Sequence, residues 1–207
     1  MVKSFFHPSY LINYLIKKLI KSYSFVNLNI LDFGCGDRPY KDSFYNNNYY
    51  PFDINKNYKL NTKIKYDVIF MTFVLYQIKN PQKTIAFLKK LTKPNSIFII
   101  IDPVIWFDDL HTPQRHFLNS YVLNFAKQNK LKILNTKYFI NNFSALFFIA
   151  LSIMNTKINK YNRVLRIILL PIILIICNSL LRIVGGGVSN SFQNFSIFKS
   201  VVFKKIK

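Results

Sequence analysis

A chain of 207 residues that is 51% hydrophobic and 17% aromatic is too apolar for disorder and has the size of one domain with a sizeable core. Its formal charge is +21 and all eight acids are Asp; that balance suits an anionic partner, although abundant Lys, Asn, Ile, Phe and Tyr together are also what an AT-rich coding sequence yields. Two cysteines, Cys35 and Cys177, exclude a disulfide framework and any metal-ligand spacing, so no metal is expected and a reducing cytoplasm fits.

The start, Met1 to Phe25, is basic and apolar, but Lys17-Lys18 interrupts it and no small-residue cleavage site follows, so it does not read as a signal peptide. Pro8-Ser9 can open a helix, and Leu11, Ile12, Leu15, Ile16, Leu19 and Ile20 then recur at helical spacing as a lead-in helix packed on a sheet. Next comes Asn29-Ile30-Leu31-Asp32-Phe33-Gly34-Cys35-Gly36-Asp37-Arg38-Pro39-Tyr40, an apolar run entering a turn that holds two of the five glycines. Gly serves where backbone bends sharply or approaches a ligand. A strand entering such a turn is expected to leave backbone N–H groups aimed over its end, with Asp32 as the nearest fixed acceptor.

Lys41 to Asn48 is too short for an ordinary crossover helix, and a second strand, Tyr49 to Phe52, ends at Asp53, 17 residues past Gly36. A carboxylate at that spacing is placed to accept both hydroxyls of a ribose. The dozen residues from Asp53 to Tyr66 are mostly Lys and Asn, so a third strand there must be short or marginal. Tyr66-Asp67-Val68-Ile69-Phe70-Met71 reads as a buried strand, with Thr72 following it into the cleft.

These three stretches together resemble the class I S-adenosylmethionine-dependent methyltransferases, over roughly residues 5 to 140 plus a C-terminal strand. The resemblance implies S-adenosylmethionine as cofactor, with Asp32, Gly34, Cys35 and Gly36 on its amino-acid part, Asp53 on its ribose, and Ile54 and Thr72 as further contacts. The family often has a third glycine where Arg38 stands, and His where Gln77 stands. The implied fold is a doubly wound, mostly parallel seven-stranded α/β sheet of Rossmann-like type.

Asn80-Pro81 caps and opens a helix with Ile85, Leu88 and Leu91 on its core face, and Lys93-Pro94-Asn95 turns into the run Ile97 to Asp102. Strand, helix and strand in alternation predict right-handed crossovers. The loop from Asp102 to Phe117 carries Trp106, Asp108, Asp109, His111, Arg115 and His116, and loops at such strand ends line the ligand crevice. His111-Thr112-Pro113-Gln114-Arg115-His116-Phe117 is similar to the acceptor-closing segment of the family. His111 is the candidate base for a hydroxyl acceptor, with His116 and Asp109 as alternatives.

Leu118 to Asn129 is a helix, Leu131 to Phe139 a strand, and Ser196 to Phe203 supplies the last strand. Between them lies an apolar insert. Phe143 to Met154 and Ile167 to Leu181 are two uncharged runs of 12 and 15 residues, the second interrupted by Pro171. As a helix, 15 residues extend about 23 Å, short of a roughly 30 Å hydrocarbon core. The insert is therefore either a hairpin at an anionic membrane surface or a lid or dimer interface, and its lack of any acid favours the membrane. The organisation expected is a cofactor-binding core over 1–140, the insert over 141–190, and the last strand with a basic tail over 191–207.

The expected function is methyl transfer to a small-molecule, glycan or lipid-linked acceptor, by O-methylation at or near a membrane, in a cytoplasmic protein with peripheral or monotopic attachment as an option. A nucleic-acid methyltransferase is disfavoured, because Thr72-Phe73-Val74-Leu75 replaces the Asn/Asp-Pro-Pro-aromatic motif and there is no Pro-Cys nucleophile. A non-catalytic membrane scaffold keeping the same fold is the alternative from another class. A plain NAD-dependent Rossmann enzyme is disfavoured, because this chain lacks that class's third glycine and hydride-site residues.

Overall fold

The computed structural model of the chain describes residues 8–103, 119–139 and 198–206. Helix α1 (Pro8–Ser22) comes first, and its apolar stripe buries Ile12, Leu15, Ile16, Leu19 and Ile20. Strand β1 (Asn29–Phe33) follows, then a single 3-10 turn (Lys41–Phe44) and strand β2 (Asn48–Phe52). Pro39 precedes that turn by two residues rather than opening a helix.

Strand β3 (Tyr66–Thr72) leads through a second 3-10 turn (Leu75–Gln77) to helix α2 (Pro81–Lys90). Asn80 caps α2 as expected, accepting from Lys83 N at 3.1 Å, and Pro81 occupies the first turn, where its missing N–H loses no bond. The remaining elements are β4 (Thr92–Pro103), α3 (Asn119–Gln128), β5 (Leu131–Phe139) and β6 (Phe198–Lys205). The expected turn at Lys93-Pro94-Asn95 lies within β4 as a bulge. Pairing steps from Tyr66 opposite Thr92 to Val68 opposite Ile97, and Asn95 takes φ 63°.

The strands form one sheet in the order β2-β1-β3-β4-β6-β5, with β1 to β4 parallel and β6 antiparallel to both neighbours. Six strands are present among the described residues instead of seven. The interval after β2 holds only an isolated bridge from Asp53 to Tyr58; rich in Lys and Asn, it packs Leu60 and Ile64 on the core without a regular strand. Consequently β2 ends the sheet.

Alternation sends Ile30, Val68, Phe70, Ile99, Ile101 and Val202 to the face covered by α1 and Phe44. It sends Leu31, Ile69, Met71, Phe98, Ile100, Val201 and Phe203 to the face covered by α2 and α3. Each such fully buried side chain contributes about 1.5–3 kcal/mol relative to exposure. Pro103, Phe198 and Phe139 share one register row. The chain thus leaves the sheet at Pro103 and Phe139 and re-enters at Phe198 at one end, the end where β1 meets Gly34 and β2 meets Asp53.

Candidate cofactor site

Gly34 and Gly36 take φ 79° and 50°, the left-handed region that side chains resist. A Cβ on Gly34 would enter the isopropyl group of Val74, whereas one on Gly36 would meet nothing within 4 Å. The first glycine therefore serves packing and the second faces open space. Arg38 also takes a left-handed φ of 57°, and its guanidinium lies 4.8 Å from the centre of the Tyr58 ring.

The expected free N–H groups of the turn are not there. Gly34 and Cys35 both donate to the Phe52 carbonyl, at 2.7 and 3.0 Å, and Gly36 donates to Asp53 Oδ2 at 2.8 Å. Parallel pairing of Phe33 with Phe52 brings that carbonyl under the turn, so the donors tie β1 to β2. A phosphate would find no donors left among these three groups. Acceptors remain, since each carboxylate oxygen can take more than one hydrogen bond.

Asp53 lies beside the glycines as the spacing predicts, half-buried, with Oδ1 accepting from Asn55 N at 2.8 Å. Ile54, next to it, is 87% exposed. Asp32 is 1% exposed and accepts from Tyr49 Oη at 2.5 Å. Burial lifts the Asp32 carboxyl to about 7, against the pull of the Tyr49 hydroxyl and with a further push from the Asp53 charge. Burial and then Asp32 raise the hydroxyls of Tyr49 and Tyr40 as well, and Tyr40 Oη donates to Asn13 Oδ1 of α1 at 2.7 Å. Cys35 is buried and pushed up to about 11, by burial first and then by Asp32 and Asp53.

Thr72, at the end of β3, holds its Oγ1 buried with no hydrogen-bond partner. An orphaned hydroxyl of this kind at a strand end fits a ligand contact. After it Phe73 takes φ 58°, a strained value for a bulky residue, and donates its N–H to Ile101 O at 2.8 Å. This bend lays Val74 over Gly34. Gln77 donates through Nε2 to Phe73 O at 2.7 Å and so braces the bend.

Tyr49, which caps Asp32, had no legible signal in the sequence, and Asp102, the acid of β4, was legible only as the start of the loop that follows the strand. Asp102 is 1% exposed and faces the backbone N–H groups of Tyr76, Val74 and Leu75, while its Oδ1 has no partner. Burial pushes its carboxyl well above the usual range despite those donors. It holds the turn after β3, and an amide in its place would keep an acceptor for those donors with no charge to bury. Asp102→Asn should therefore leave stability near that of the parent at pH 7, while Asp102→Ala should lose about 1–3 kcal/mol by orphaning the donors; urea unfolding of both variants measures the difference. His111, His116 and Asp109 lie outside the described residues, as do Trp106 and the insert. Asn61 closes a local turn, accepting from Lys63 N at 3.0 Å.

An open, mostly parallel sheet whose first strand ends in a glycine turn, with the acids Asp32 and Asp53 at that turn, defines a Rossmann-like nucleoside-binding protein. Residues 9–138 match the family model described as a methyltransferase domain. The chain belongs to that family, the class I S-adenosylmethionine-dependent methyltransferases. Solved structures agree in fold. The chain is similar to the [4+2]-cyclase SpnF, at 10% identity and a TM-score of 0.53 over 92% of this chain and 80% of that one. It is similar to phosphoethanolamine N-methyltransferase 2 of Haemonchus contortus in complex with S-adenosyl-L-methionine, at 10% identity and TM-score 0.55, covering 99% of this chain but 59% of that one. Coclaurine N-methyltransferase bound to N-methylheliamine and SAH gives 12% identity and TM-score 0.55 over 93% and 72% of the two chains. No curated protein matches the chain in sequence.

Proposed function

We propose that this methyltransferase holds its cofactor between Asp32 and Asp53 and methylates a hydroxyl of a small-molecule, glycan or lipid-linked acceptor at or near a membrane surface. The observation that carries the cofactor assignment is the pair of carboxylates across the Gly34–Gly36 turn, mutually repelling, with the turn's own donors consumed. Such a site favours a ligand that is cationic and rich in hydroxyls over one bearing phosphates. S-adenosylmethionine, when bound, supplies a sulfonium-activated methyl group for in-line displacement.

The chain's residues then have separable tasks. Asp53 accepts the ribose hydroxyls, Asp32 faces the ammonium of the amino-acid part, exposed Ile54 offers the adenine an apolar surface, and the open space before Gly36 admits the ligand. Thr72 gains a partner for its orphaned hydroxyl. His111 takes the proton released by the acceptor hydroxyl; its segment leaves β4 at the cofactor end, which supports that role, with His116 and Asp109 as alternatives. The acid-free insert leaves β5 at the same end, and this supports an amphiphilic acceptor. Among the described residues no helix is long and apolar enough to cross a membrane.

Calorimetric titration with S-adenosylhomocysteine tests the assignment. The parent chain should bind, and Asp53→Ala should bind roughly 10- to 100-fold more weakly, the loss of hydrogen bonds to a charged group. A second reading, a scaffold that keeps the fold without catalysis, is favoured by the close seating of Val74 on Gly34. Absence of binding by either form would decide for it.

A further inference from the structure

The helix layer opposite α1 carries a surface that the cofactor site does not use. Neither α2 nor α3 contains an acid. On α2, Phe87 lies one turn from Lys83 and from Lys90; on α3, Leu123 lies one turn from Lys127. Phe87 is 42% and Leu123 61% exposed, so two large apolar side chains stand out among ammonium groups. The ammonium groups of Lys83, Lys90, Lys127 and Lys130 make no hydrogen bond or ion pair among the described residues.

The two helices end together. Lys89 Nζ donates to Asn129 O at 2.7 Å, and Lys205 Nζ of β6 donates to Lys89 O at 3.0 Å. Between the ends is a groove of about 450 Å³ lined by Lys89, Lys90, Lys130 and Lys205, with no acid on its walls. Helix carbonyls account for part of this positive charge. They do not account for all of it: Lys89 is held below its usual range by burial and then by the charges of Lys205 and Lys130. Crowded ammonium groups beside water-exposed apolar side chains are unfavourable in isolation, and an anionic partner offsets both terms.

We propose that this α2–α3 face is a docking surface for an anionic lipid bilayer, with the groove taking headgroup phosphates and Phe87 and Leu123 entering the interface. Charge complementarity selects the partner. Lysine point charges suit the diffuse field of a charged leaflet, where each adds its attraction separately. The surface has no Arg for bidentate phosphate contacts and one aromatic ring, short of the stacking platform that single-stranded nucleic acid uses. The inference deepens the membrane part of the proposed function, and it assigns anionic lipid recognition to the folded core instead of the insert.

Sedimentation with extruded vesicles of phosphatidylcholine alone, or mixed with phosphatidylglycerol, tests it on the full chain. The parent should partition more strongly onto the anionic vesicles, less so as salt rises. A combined Lys90→Gln, Lys127→Gln and Lys130→Gln variant should lose roughly 100-fold of that preference, and Phe87→Ser with Leu123→Ser roughly tenfold. Both variants should melt and bind S-adenosylhomocysteine like the parent, which separates failure here from failure of the cofactor assignment. Equal binding to both vesicles would leave attachment to the insert alone and overturn the proposal. So would an undiminished preference in the lysine variant, or displacement of the parent from vesicles by transfer RNA at equal phosphate.

Discussion

Asp32→Asn is expected to unfold at higher urea than the parent chain at pH 8 and to bind S-adenosylhomocysteine roughly 10- to 100-fold more weakly. Both effects come from one buried carboxyl. Folded, it titrates near 7; unfolded, it returns to the ordinary value near 3.9. Between about pH 4 and pH 7 the folded chain holds a proton here that the unfolded chain has released, so the group's contribution is favourable at low pH and is lost as pH rises through 7. Above that the buried anion opposes folding, and the amide removes the opposition, a gain of about 2 kcal/mol after allowing for a weaker bond from Tyr49.

The same titration governs the ligand. If Asp32 faces a cation in the complex, parent affinity should fall about tenfold for each pH unit below 7, while the Asn variant stays level. A parent affinity that is flat from about pH 5.5 to 8 would sink the role given to Asp32. Stability and affinity moving in opposite directions is the signature of a residue kept for binding.

Gly34→Ala should destabilise the chain by about 3 kcal/mol, and Gly36→Ala by only about 1. Both glycines have positive φ, so both substitutions carry backbone strain. Only Gly34 adds a collision: Val74 Cγ1 and Cβ would lie 3.0 and 3.2 Å from the new methyl, and Cγ2 nearer still. Adding Val74→Ala to Gly34→Ala should recover the collision and leave the strain, a coupling of about 1–2 kcal/mol in a double-mutant cycle. Gly36→Ala places its methyl in the space the ligand is assigned, so it should weaken S-adenosylhomocysteine binding far more than it weakens the fold. If the two glycines prove equal in stability, Val74 does not seat on Gly34 as described.

Elements whose signals are local were legible in the chain. The stripe Ile12 to Ile20 is α1, Asn80-Pro81 caps α2, and the glycine pair and Asp53 meet at one strand end. Between Asp53 and Tyr66, where the composition left room only for a short or marginal strand, the described residues hold a single bridge, from Asp53 to Tyr58. The free N–H groups were misjudged for a different reason: whether a turn's donors stay open depends on which carbonyl the neighbouring strand brings beneath it.

By itself, then, the order of residues determined a parallel α/β sheet, a left-handed glycine turn and the acid that faces it, since each follows from side-chain period or backbone freedom within a few positions. Only the tertiary structure decided that Phe52 O takes the turn's donors, that Tyr49 caps Asp32, that Asp102 holds the turn from Val74 to Tyr76, and that lysines from α2, α3 and β6 converge at one groove. These depend on register between strands far apart in the chain, and register is set by how whole faces pack, a quantity no short stretch of sequence carries.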